Sequence, residues 1–104
     1  MNDSPIDLIA MNIIANSGDA RSHAFAALEE AKQGNFETAE EFLKKANDAV
    51  NLAHKAQTEL LFEEANGNKQ DVNVLLIHSQ DHLMTCMLAI ELIKEMIVMY
   101  KSKS

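Results

Sequence analysis

Seven consecutive residues, His78-Ser79-Gln80-Asp81-His82-Leu83-Met84, hold the densest set of groups in this chain that can do chemistry. His78 and Asp81 are three apart and His78 and His82 four apart, so on a helix all three project from one side over adjacent turns. Imidazole has a reference pKa of about 6.5, which leaves much of it neutral and nucleophilic near pH 7 and suits it to transient phosphoryl transfer. Such a carrier needs that nucleophile, an open approach for an in-line donor, and hydrogen-bond donors for the phosphoryl oxygens. Gln80, His82 and Ser79 are the nearby candidates for those donors.

Asp81 also belongs to the row Val74, Ile77, Asp81, Met84, Leu88, which places a carboxylate in an otherwise apolar stripe. An unpaired carboxylate is costly to bury, so Asp81 must be protonated, hydrogen-bonded or metal-bound there, and it can orient a neighbouring histidine. The same HxxDH pattern reads alternatively as a metal site, because histidines at i and i+4 can share one zinc. That reading needs further ligands from His54, His23 or another copy of the chain. A third reading makes these residues mere organisers of a core, in a non-catalytic helical adaptor.

The elements that must position this stretch are helices. Pro5, Gly34 and Gly67 stand where helix starts and stops belong and divide the chain into segments of about 5–33, 36–66 and 72–101. Ser4 is a candidate N-cap for the first, Asn35 for the second and Asp71 for the third. The two-residue connection at Gly34 and Asn35 forces antiparallel neighbours. In the second segment Phe36, Ala39, Leu43, Ala46, Val50, Ala53 and Leu60 form an apolar seam, broken once by Gln57, whose amide demands a partner. Gly18 falls inside the first helix, where a kink or a close helix contact would account for it. No segment alternates polar and apolar residues long enough to make a strand. The expected fold is an all-α, antiparallel three-helix bundle in a single domain, 1–104.

From Leu83 to Met99 the third segment is apolar nearly all round, yet two neighbours cover only one of its sides. Self-association with closed symmetry follows, the third helices meeting about an axis; this pattern alone fits a dimer or a trimer. A formal charge of -7 argues against nucleic acid as a partner. No apolar run approaches the roughly 20 residues that span a bilayer, and the start MNDSPID has no signal-peptide character, so a cytoplasmic location is expected. Cys86 is the only cysteine and lies among Met84, Met87 and Leu88, which suits a reduced, buried thiol.

The motif HSQDHLM resembles the active-site motif of the lactose/cellobiose IIA family of the sugar phosphotransferase system. Gly18 to Ser22, reading GDARS, is similar to that family's first-helix motif, and Ala26 to Phe36 is similar to its AL-x-x-A-x-x-G-x-F connection. The resemblance spans nearly the whole chain. It implies a cytosolic homotrimer in which His78 takes a phosphoryl group on Nε2 from the histidine phosphocarrier protein. The group then passes to a cysteine of the IIB component, and the membrane is reached only through the IIC permease, which selects the sugar. Asp81 matches the family's buried acid, gathered with its symmetry mates around a divalent cation, magnesium being the expected ion. Gln80 and His82 match motif positions, and their proximity to His78 suggests supporting contacts to the phosphoryl group.

Overall fold

The computed structural model describes residues 5–68 and 72–104. These form α1 (Pro5–Lys32), α2 (Phe36–Ala65) and α3 (Val74–Lys103), with no strand among the described residues. The first two helices begin and end within a residue of the expected limits, and α3 begins two residues later than expected. Asn73 is its N-cap: the backbone is extended there and the side-chain oxygen accepts from Leu76 N at 2.7 Å. Ser4 and Asp71 lie outside the described residues.

Helices α1 and α2 end in the same device. At each end a glycine with positive φ (82° at Gly34, 87° at Gly67) turns the chain. The N–H of Gly34 bonds Ala31 O and that of Asn35 bonds Glu30 O; Gly67 and Asn68 do the same with Glu64 and Glu63. These paired bonds satisfy carbonyls that the helix end leaves open. The asparagine after each glycine donates its amide to the glutamate five residues back, Asn35 to Glu30 at 2.9 Å and Asn68 to Glu63 at 2.8 Å. Asn35 therefore does not cap α2 through its side chain, as the sequence suggested; its amide is engaged behind it.

Alanine makes the close contact between α1 and α2. Ala20, Ala24, Ala27 and Ala31 of α1 are buried with Ala39, Ala46 and Ala49 of α2, and side chains this small let two backbones approach closely. Into the groove so formed α3 sets larger groups, Leu83, Cys86, Ile90, Ile93 and Ile97, all buried. α1 packs along both other helices, whereas α2 and α3 meet sparsely. Helix α1 runs unbroken through Gly18, and a Cβ added there would meet nothing within 4 Å, so no close contact among the described residues explains that glycine.

The opposite side of α3 is uncovered. Ile77, Met84 and Leu88 are 57%, 56% and 60% exposed, and Val74, Leu92 and Met99 continue the same row. The two-sided apolar helix read from the sequence is present, with one side buried in the chain and the other open. No helix among the described residues is long and apolar enough to cross a membrane.

Candidate functional site

The register of α3 sorts the motif into four directions. At about 100° per residue, the buried row centres on Ser79, Leu83, Cys86 and Ile90, and the open stripe containing Asp81 lies opposite. His78 and Gln80 fall about 80° to either side of the stripe's midline, on opposite flanks of the helix. His82 stands one turn beyond His78 on the same flank, closer to the core.

His78 is exposed and His82 half-buried, and their rings meet edge to face with centroids 5.6 Å apart and planes at 83°. This is a favoured contact between aromatic rings and limits the orientations that each imidazole samples. Nδ1 of His82 is buried and has no hydrogen-bond partner among the described residues. A buried ring nitrogen left without a partner is costly. Among the described residues nothing covers His78, which leaves it open to a donor.

Two of the expected supporting groups stand elsewhere. Ser79 is fully buried and its hydroxyl donates to Leu76 O at 2.7 Å, so it faces the core and cannot reach a phosphoryl group on His78. Gln80 points toward α2, where its Oε1 accepts from Gln57 Nε2 at 2.6 Å. Within one chain it cannot contact His78, because two residues along a helix separate side chains by more than half a turn. The partner that the sequence required for Gln57 is thus Gln80. Sequence spacing gave proximity along the chain, and the helix converted it into opposite directions.

Asp81 is exposed, and its carboxylate makes no hydrogen bond or ion pair among the described residues; it does not orient either histidine. His54 is exposed, and His23 stacks on Phe42 with centroids 6.3 Å apart. Among the described residues no three of His, Cys, Asp or Glu gather as a metal site, so the zinc reading finds no ligand set within one chain. A carboxylate in an open apolar stripe does fit a hard cation if copies of it converge, since oxygen ligands suit such ions.

Cys86 is buried behind the site, its thiol donating to Ser17 O at 3.3 Å. Burial pushes this thiol up from its ordinary value, the positive charge of Arg21 acting weakly against it.

Three long helices, the third carrying an edge-to-face imidazole pair at its uncovered side, make this an all-α subunit with a candidate site borne on one helix. Residues 8–101 match the family described as the lactose/cellobiose-specific IIA subunit of the PTS system, and the chain belongs to that family. It is 43% identical to the lactose-specific EIIA component of Staphylococcus epidermidis over 100% of both chains. It is 46% identical to the N,N'-diacetylchitobiose-specific EIIA component of Escherichia coli K12, over 92% of this chain and 83% of that one. Among solved structures, the cellobiose-specific enzyme IIA from Bacillus anthracis superposes with a TM-score of 0.94 at 46% identity, covering 97% of this chain and 93% of that one. The IIA(chitobiose)–HPr complex is similar at a TM-score of 0.84 and 42% identity, covering 96% and 97%.

Proposed function

We propose that this chain is a cytoplasmic phosphocarrier in which Nε2 of His78 holds the phosphoryl group. The observation that carries the reading is the position of His78: an exposed imidazole, braced by His82, beside an uncovered apolar stripe, in a chain of the IIA family. The neutral imidazole of His78 attacks phosphorus of the phosphorylated histidine phosphocarrier protein. An N–P bond forms as the donor's P–N bond breaks, and the donor histidine leaves with its electron pair. That donor is the natural one, since a similar IIA protein is solved in complex with HPr. In the second step the thiolate of a IIB cysteine attacks the phosphorus; S–P forms, N–P breaks, and His78 is regenerated. Both steps are displacements at phosphorus, so the protein's part is to position the group and supply donors to its oxygens. His82, with its unpaired ring nitrogen, is the supporting group nearest to His78.

Assembly belongs to the same proposal. The open stripe on α3 would be covered by three copies closing about an axis, one of the closed symmetries that bury such a face and the one the family resemblance favours. Three Asp81 carboxylates then converge. A divalent cation, magnesium in the first instance, would neutralise them. The sugar delivered, whether lactose, cellobiose or chitobiose, is selected by the membrane IIC permease, through which alone the chain meets the membrane. A helical adaptor without chemistry is the competing reading. Incubation with phosphoenolpyruvate, enzyme I and the histidine phosphocarrier protein separates the two. The natural chain should gain the mass of one phosphoryl group and His78→Ala should gain none; label of undiminished yield on that variant, or on His82, His54 or His23, would sink the assignment.

A further inference from the structure

Gln57 puts an amide on the apolar seam of α2 and uses it to hold Gln80 across the sparse contact between α2 and α3, at 2.6 Å. Gln80 continues the chain: its Nε2 lies at a long 3.5 Å from Ser79 Oγ. Ser79 is fully buried and gives its only hydroxyl proton to Leu76 O at 2.7 Å. A carbonyl oxygen can only accept, so Ser79 sets the sense of the Gln80 amide, but at 3.5 Å that contact is too weak to hold it without the short bond from Gln57. Ser79 can then only accept from Gln80, and the oxygen of Gln80 can only accept from Gln57. One N–H of the Gln80 amide is left over, with no acceptor among the described residues.

The flank of α3 that carries Gln80 is the one opposite His78. When parallel α3 helices close about an axis with their open stripes inward, the His78 flank of each copy meets the Gln80 flank of the next. Phosphoryl oxygens accept hydrogen bonds and repel carbonyl oxygens, so the sign of the amide edge presented there matters.

We infer that Gln57 is a positioning residue for phosphoryl transfer: it turns the Gln80 amide so that an N–H, and not the oxygen, faces the phosphoryl group on His78 of the adjacent copy. The inference rests on the carrier reading and the threefold assembly proposed above. Gln57 itself touches neither histidine nor phosphate.

The test is the rate of transfer from radiolabelled phospho-HPr to the full chain, read together with sedimentation and thermal unfolding. Gln57→Leu suits an apolar seam and keeps the trimer, with only a small drop in melting temperature for the unpaired Gln80 oxygen, while the rate falls about tenfold, the loss of one hydrogen bond to a charged group. Gln57→Met gives the same comparison should the leucine variant not assemble. Gln57→Lys can only donate, so it preserves the Gln80 orientation and keeps the rate within about twofold. Co-expressed with an excess of His78→Ala chains, Gln57→Leu chains regain the natural rate, because the neighbour's intact amide serves their His78. An unchanged rate for Gln57→Leu in an intact trimer overturns the inference, as does a lysine variant as slow as leucine or a mixed trimer that stays slow. Absence of label on the natural chain overturns the carrier reading itself, an outcome distinct from all of these.

Discussion

The rings of His78 and His82 meet edge to face at 5.6 Å, while the inner nitrogen of His82 is buried without a partner. The pair is therefore braced on one side and unsatisfied on the other. An edge-to-face contact is worth roughly 0.5–1.5 kcal/mol, enough to bias the His78 ring toward one orientation. His82→Ala should fold and assemble normally, still take its label on His78, and receive phosphate about tenfold more slowly. Quenched-flow phosphorylation with peptide mapping measures both; a rate equal to the natural chain removes His82 from the mechanism.

Leu88 is 60% exposed in the single chain and sits on the stripe assigned to self-association. A lysine there costs the isolated chain little but places like charges where three copies meet. Burial of a leucine is worth roughly 1.5–3 kcal/mol per copy, so Leu88→Lys should convert trimer to helical monomer at micromolar concentration. Sedimentation equilibrium and circular dichroism decide it, and a trimer that survives the change would place the interface elsewhere.

Asp81 lies on the same stripe with no partner of its own among the described residues. Asp81→Leu replaces a carboxylate by an apolar group of similar bulk and should leave the assembly trimeric, more heat-stable and indifferent to chelators. The natural protein should lose stability when a chelator is added, because uncompensated carboxylates then crowd the axis. Thermal unfolding of both forms with and without chelator compares them; monomers from the leucine variant would reveal a contact that Asp81 alone makes.

Burial raises the Cys86 thiol pKa above the ordinary 9.0, and Arg21 offsets the rise only in part. The folded chain thus keeps its thiol proton where the unfolded chain releases it. The resulting contribution to stability is complete below pH 9.0 and is lost as pH rises beyond it. Urea unfolding through the alkaline range should show this decline in the natural chain and less of it in Cys86→Ala. Alkylation of the native thiol should be slow at neutral pH; fast labelling of the folded protein would contradict its burial.

Much of this molecule is local and was legible in the sequence. Gly34 and Gly67 mark helix ends because each supplies the positive φ that turns the chain and lets the following N–H groups close on open carbonyls. The seam of α2 follows from helical period, and Gln57 stood out because an amide on that seam needs a partner. The uncovered side of α3 was equally readable, since two neighbours cannot cover a helix that is apolar all round. Residue types in HSQDHLM made His78 a candidate, and the family resemblance, not the spacing, turned that candidate into an assignment.

Direction and partnership were decided only by the packed chain. Ser79, Gln80 and His82 are all near His78 in sequence, yet the angle at which α3 lies on α1 and α2 buries Ser79, turns Gln80 to Gln57 and leaves only His82 against His78. Helical period fixes the angles between side chains but not which angle faces the core; that is set by how α3 fits the groove lined by small alanines. The caps shifted for a related reason. Asn35 and Asn73 are the same residue type before a helix, but Asn35 follows a glycine turn that aims its amide back at Glu30, whereas the extended backbone at Asn73 aims its oxygen forward at Leu76 N. A side chain's chemistry is written in the sequence; the group it meets depends on backbone directions that only the assembled helices impose.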